Sequence, residues 1–146
     1  MPGMVWGKVL RSPHAHALIK KIDTSKAEAL QGVLAVMTGA DLPTLPLDVP
    51  LPTGPNDIRW ISRGCMAQEK ILYVGHPIAA VAATSQEIAI AALDLIEVDY
   101  EVLPHVIDVD EAVAPGAPIL HDWIKTEGID GPTNISNIMT VKTGDV

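Results

Sequence analysis

The sequence predicts an α+β fold: a mixed sheet with a strand-turn-strand-helix-strand core and two main helices. Two short apolar runs, residues 71–74 and 78–83, are separated by Gly75-His76-Pro77, the punctuation of strands around a tight turn. Ile88, Ala91, Ala92, Leu95 and Ile96 then recur at the three- and four-residue intervals of one helical stripe, with Gln86, Glu87 and Asp94 on the other side. Directly afterwards Glu97, Asp99 and Glu101 alternate with Val98, Tyr100 and Val102, the period of a half-buried strand.

The remaining elements follow in order. Residues 4–10 and 17–22 read as two strands, broken at Arg11-Ser12-Pro13 because proline fixes φ and offers no amide hydrogen. Ser25 and Glu28 have capping-box spacing for a short helix through Leu30, stopped by Gly32 in the C-cap role. Residues 33–37 are a buried strand. Five prolines between Pro43 and Pro55 exclude regular helix and interior strand, so residues 43–55 read as a long, extended surface loop. Thr84 and Glu87 have capping-box spacing for the second helix, and Pro104 ends the acidic strand. Residues 108–112 suit one more helical turn, and beyond Pro115 the composition is that of irregular chain. The expected organisation is one domain over residues 1–114 and an extended tail over 115–146.

Composition excludes several functions. A chain of 146 residues, 48% apolar, with a mean hydropathy of +0.26, carries enough apolar surface to fold around one core. A formal charge of -8 and a pI near 4.9 argue against nucleic acid or an anionic membrane as partner, since both select cationic surfaces. Cys65 is the single cysteine, so neither an internal disulfide nor a Cys-rich zinc or iron–sulfur site can form from this chain by itself. The apolar runs at 78–83 and 88–93 are far shorter than the roughly 20 residues that cross a bilayer. The first ten residues lack a basic segment leading into an apolar one, and a cytoplasmic location is expected.

Candidate reactive groups each have a plainer reading. Glu97, Asp99 and Glu101 would project from one strand face about 6.8 Å apart, which suits acid and base groups, but charge on an edge strand also discourages unwanted pairing. His14 and His16 would share a face of an extended strand and could grip a metal, yet no third ligand is near in sequence. His76 is best explained as a turn residue. Cys65 is a candidate thiolate only with a His brought near by the fold. The expected set of catalytic, cofactor-binding and metal-binding residues within this chain is empty.

Four strings in order carry a resemblance: Arg11-Ser12-Pro13-His14-Ala15-His16-Ala17, Thr38-Gly39-Ala40-Asp41-Leu42-Pro43, Tyr73-Val74-Gly75-His76-Pro77 and Glu97-Val98-Asp99-Tyr100-Glu101. With them the chain resembles the α/β-hammerhead domain of the molybdenum-binding large subunit of the xanthine dehydrogenase, aldehyde oxidase and carbon monoxide dehydrogenase family. The resemblance implies a molybdopterin-type molybdenum cofactor in the full subunit, with 2Fe-2S clusters and, in some members, FAD in partner domains or subunits. It implies as partners the downstream molybdenum-binding domains of the same subunit and the iron–sulfur and flavin subunits. In that family the pterin-binding segments and the glutamate base lie downstream, so the isolated chain is expected to be inactive. Thr143-Gly144-Asp145-Val146 resembles the passage into the next domain, and the chain is read as a truncated piece of a longer subunit or a separately encoded fragment. Leu18 stands where many members have arginine, and residues 43–64 have no close counterpart, which leaves the subfamily open. The alternative class is a free-standing protein-interaction or small-molecule-carrier module. A carrier needs a modifiable lysine at a hairpin tip, whereas Lys8, Lys20, Lys21 and Lys70 fall in or beside predicted strands.

Overall fold

A computed structural model describes residues 3–43, 61–122 and 126–144. The extended loop expected over 43–55 lies, from residue 44 onward, outside the described residues. Strand β1 (Trp6–Arg11) ends at the Ser12-Pro13 break, and β2 (Ala17–Asp23) leads into α1 (Ser25–Glu28). Next come β3 (Val33–Thr38) and a 3-10 turn at Gly39–Asp41. The second half contains α2 (Ile61–Cys65), β4 (Lys70–Ile71), β5 (Pro77–Ala83), α3 (Gln86–Asp94), β6 (Glu97–Val102) and α4 (Val109–Val113). Among the described residues no helix is long and apolar enough to cross a membrane.

The strands do not form the single mixed sheet expected. They form two three-stranded sheets, in the orders β1-β5-β3 and β4-β2-β6, and every pairing is antiparallel. The strand-turn-strand-helix-strand order is as read from the sequence, but it threads between the sheets. β4 and β5 flank a tight turn without pairing. Residues 72–74 were expected in the strand, yet the Leu72 amide donates to the His76 ring and the Tyr73 carbonyl accepts from the His76 amide. Their backbone groups are thereby unavailable to a ladder.

Two apolar clusters follow from this arrangement. Ala79 and Val81 of β5 pack with Ala27, Ala92 and Ile96, flanked by Leu10, Val33 and Val36. Ile78, on the other face of the same strand, packs with Ala17, Ala67 and Ile71. Ile71 and Ile78 are fully buried, each stabilising the fold by about 2–3 kcal/mol through the apolar area removed from water. β5 is therefore the structural centre of this unit, because alternate residues enter different clusters.

Helix starts differ from their sequence signals by one residue. Ser85, not Thr84, caps α3: its backbone is extended and its Oγ accepts from the Ile88 amide at 3.3 Å. Thr84 instead donates its amide to the Gly32 carbonyl. Ala89 and Ala92 are the buried residues of α3, whereas Ala91, assigned to the apolar stripe, is exposed. At α1 the N-cap is Thr24 rather than Ser25 and no side chain caps it; Asp23 Oδ1 instead accepts from the Ser25 amide at 3.2 Å and from its hydroxyl at 2.6 Å. Gly32 does stop this segment, at a φ of +94° that side-chain-bearing residues rarely adopt. Replacing Ser85 with alanine is expected to cost about 1 kcal/mol and to lower the melting temperature by about 3 °C, measurable by thermal circular dichroism.

The described residues divide into two compact units between Leu103 and Pro104. In the second, Asp108 caps α4, its Oδ1 accepting from the Asp110 and Glu111 amides. The irregular chain beyond is tied by Asn134, which accepts from the Leu120 amide and donates to the Ala112 and Pro118 carbonyls, each at 2.9 Å.

Candidate functional site

Two of the strings singled out in the sequence interlock. The Ser12 amide donates to the His76 carbonyl and the Gly75 amide to the Ser12 carbonyl, both at 2.9 Å. The Arg11 guanidinium adds a bond to the Gly75 carbonyl at 2.9 Å, and the Ser12 hydroxyl accepts from the His14 amide at 3.0 Å. Gly75 makes the turn at a φ of +84°, where a side chain would be strained. Turn locks turn through main-chain groups.

His76 lies at the centre with 0% exposure. Its Nδ1 accepts from the Leu72 amide at 3.2 Å, so Nε2 carries the ring proton and donates to the Arg63 carbonyl at 2.8 Å. Burial pushes its pKa below the ordinary histidine value, outweighing the opposing bonds to the Arg63 and Gly64 carbonyls. The ring is neutral at pH 7. Tyr73 stacks on it at 4.4 Å between centroids and donates its hydroxyl to the Gly64 carbonyl at 2.9 Å. Arg63 and Gly64 belong to α2, and the last carbonyls of a helix have no partner within it. Two aromatic side chains from a distant turn supply those partners.

This helix was missed in the sequence, where residues 58–64 stood out only as lacking a close counterpart in the family. An apolar period cannot be read in five residues, and what attaches α2 lies on His76 and Tyr73. The Gly-His-Pro punctuation was the available signal, but it indicated only a turn.

The other candidates are placed apart from one another. β6 pairs with β2 along one edge of its sheet, and two of its acidic residues form ion pairs with lysines. Glu97 pairs with Lys26 and Glu101 with Lys20, while Lys21, opposite Asp99 in register, pairs instead with Asp23. These are exposed charge pairs, which contribute little to stability. Changing Glu97 and Glu101 together to glutamine is expected to move the melting temperature by about 2 °C or less, a small effect that thermal melts in low and high salt resolve.

His14 and His16 do not share a strand face, because Pro13 bends residues 13–16 out of extended geometry. His14 packs edge-on against Tyr100, with centroids 4.9 Å apart, and His16 is buried. Cys65 is exposed at the end of α2. Among the described residues no group of three or more His, Cys, Asp or Glu side chains is placed to hold a metal ion. Lys8, Lys20, Lys21 and Lys70 lie in β1, β2 and β4 rather than at a hairpin tip. In this arrangement the site can hold elements together, since its polar groups bond to the chain's own backbone.

Two small antiparallel sheets, the first packing helix residues on one face of its central strand and touching the second sheet through Ile78 on the other, together with the locked turns, define an α+β domain of the hammerhead class. Residues 1–104 match the family described as aldehyde oxidase and xanthine dehydrogenase, a/b hammerhead domain, and the chain belongs to that family. It is 46% identical over 125 residues to the carbon monoxide dehydrogenase large chain of Afipia carboxidovorans, covering 86% of this chain and 15% of that one. A probable hypoxanthine oxidase of Escherichia coli is 49% identical over 115 residues, 79% of this chain and 12% of the relative. Among solved structures, the aldehyde oxidoreductase from Desulfovibrio gigas superposes with a TM-score of 0.67 at 31% identity, covering 84% of this chain and 14% of that one. The chain thus spans less than a sixth of the length of these relatives.

Proposed function

We propose that this chain is the hammerhead part of the large subunit of a molybdenum hydroxylase, and that it braces the subunit rather than performing oxidation. The observation that carries the reading is the alignment of 86% of the chain with only 15% of a carbon monoxide dehydrogenase large chain. The organisation into a hammerhead over 1–114 and a leading tail over 115–146 belongs to the same reading, as does a cytoplasmic location. The substrate of the whole enzyme is an aldehyde, a purine, an N-heterocycle, an aromatic acyl-thioester or carbon monoxide. A molybdopterin-type cofactor supplies the redox chemistry, with 2Fe-2S clusters and a flavin in partner domains or subunits.

The polar residues of the locked turns, of β6 and of the chain around Asn134 do not fit that cofactor. His76 uses both ring nitrogens on backbone groups, Ser12 and Asn134 are bonded to main chain, and Glu97 and Glu101 of β6 pair with lysines on an exposed edge. No oxidation step is assigned to this chain, and on this reading no catalytic, cofactor-binding or metal-binding residue is placed within it. Its contribution is rigidity. Displacing reacting groups by about 1 Å can cost on the order of 100-fold in rate, so a locked scaffold matters to chemistry performed elsewhere.

Metal analysis and pterin fluorescence on the whole subunit and on the 146-residue chain test the proposal. Molybdenum and pterin are expected to copurify with the whole subunit and to be lacking from the short chain. Turnover of any of these substrates by the short chain, or a whole subunit without molybdenum from a pterin-producing host, would overturn it. A carrier role would instead be revealed by an intact mass containing a covalent prosthetic group.

A further inference from the structure

The composition of β5 does not match its surroundings. Pro77–Ala83 reads PIAAVAA, without one polar side chain, the composition of a strand covered on both faces. A sheet with one face in water instead alternates apolar and polar residues. On one face Ala79, Val81 and Ala83 are buried, the first two against Ala92 and Ile96. On the other, Ile78 is fully buried against Ala17 and Ile71, whereas Ala80 and Ala82 are only half-buried. The register places Val9 and Met37 on either side of Ala80, and Gly7 and Ala35 on either side of Ala82. Val9 is 39% and Met37 37% exposed, Gly7 and Ala35 are exposed, and the two central alanines are half-buried. None of the six bears a charge or a hydrogen-bonding side chain, and four are glycine or alanine, which lets another backbone approach closely. A contiguous apolar surface of this kind marks a contact site.

We propose that this open half of the β1-β5-β3 face docks against an uncharged, apolar surface in the remaining part of the same large subunit. The inference rests on the functional reading above and adds to it the face that is used. The occupant follows from length: the matched region is 15% of the Afipia large chain, so most of such a polypeptide lies outside it and is available in cis. A second copy is the poorer occupant, because it would bring the same charge of -8 towards this chain.

The test is thiol accessibility. In a Cys65→Ser background, Val9→Cys and Met37→Cys are introduced separately into the 146-residue chain and into the whole subunit, and maleimide labelling is timed. Both thiols are expected to react rapidly in the short chain and on the order of 100-fold more slowly in the subunit. Should a variant fail to fold, peroxide oxidation of Met37 in the unaltered proteins, read by peptide mass spectrometry, gives the same comparison. Equal, rapid reaction in both proteins overturns the proposal. So does slow reaction in a monomeric short chain, which would mean cover by its own residues, or slow reaction with dimer formation, which would mean a second copy. Molybdenum content, measured independently, shows whether the functional reading stands when the docking face does not.

Discussion

Replacing Gly39 with alanine is expected to destabilise this chain by about 3 kcal/mol and to lower its melting temperature by about 10 °C. A Cβ at this position would stand 2.2 Å from the Ala67 carbonyl oxygen and 2.8 Å from its carbon, distances that no real Cβ tolerates. The obstacle is backbone. Ala67 cannot retreat easily, because its amide donates to the Pro77 carbonyl at 2.8 Å and its side chain is fully buried against Ile71 and Ile78. Gly39 also opens the 3-10 turn closed by Thr38 and Asp41, so a displaced backbone would strain that capping box too. The matching control is Gly64→Ala. Its Cβ meets nothing within 4 Å, and alanine's higher helix propensity is expected to leave stability unchanged or to raise it by up to about 1 kcal/mol. Thermal and urea denaturation of the two variants checks both signs; equal effects would show that position 39 is not held by contact with residue 67.

Removing His76 is expected to have a comparable effect through a different mechanism. His76→Ala leaves a cavity, strips the Leu72 amide of its acceptor and leaves the Arg63 carbonyl without its ring donor, together costing about 3 kcal/mol. His76→Phe keeps most of the volume and the stacking on Tyr73 but makes neither hydrogen bond, so it separates packing from bonding. Hydrogen exchange is expected to locate the damage, with the amides of α2 losing protection before those of β5.

The same residue gives a pH signature. The folded-state pKa is depressed by burial below the ordinary value near 6.5, so the unfolded chain binds the proton more readily. The neutral ring's contribution is present in full above about pH 6.5 and is lost as pH falls from there through the folded-state pKa. Wild-type stability is therefore expected to decline between pH 7 and pH 5 more steeply than that of His76→Phe, a difference measured by urea melts across that range. Parallel curves would exclude a buried neutral His76.

These expectations show where sequence reading succeeds and where it stops. The β5–α3–β6 segment was legible because its causes are local: a proline and glycine at the turn, a polar cap, an apolar stripe, then strict alternation. Even there the cap moved from Thr84 to Ser85, since neighbouring hydroxyls are equivalent as letters and only the bond to Ile88 distinguishes them. His76 was recognisable as a turn residue, but not as a clamp, because its partners include Ser12, brought back by the pairing of β1 with β5. Gly39 has no unusual φ that a local rule would flag; its requirement is imposed by residue 67 from outside the turn.

Local composition and nearest-neighbour spacing were enough for the class of fold and the punctuating turns, and four strings in order carried the family resemblance. The division of the strands into two antiparallel sheets, the tying of two turns and α2 through His76, and the partial exposure of Val9, Met37 and their neighbours on one sheet face came only with the tertiary structure. Those features depend on which distant backbone groups pair. A hydrogen bond or a steric contact across tens of residues leaves no period in the chain, because its energy arises only once the fold has brought the two groups together.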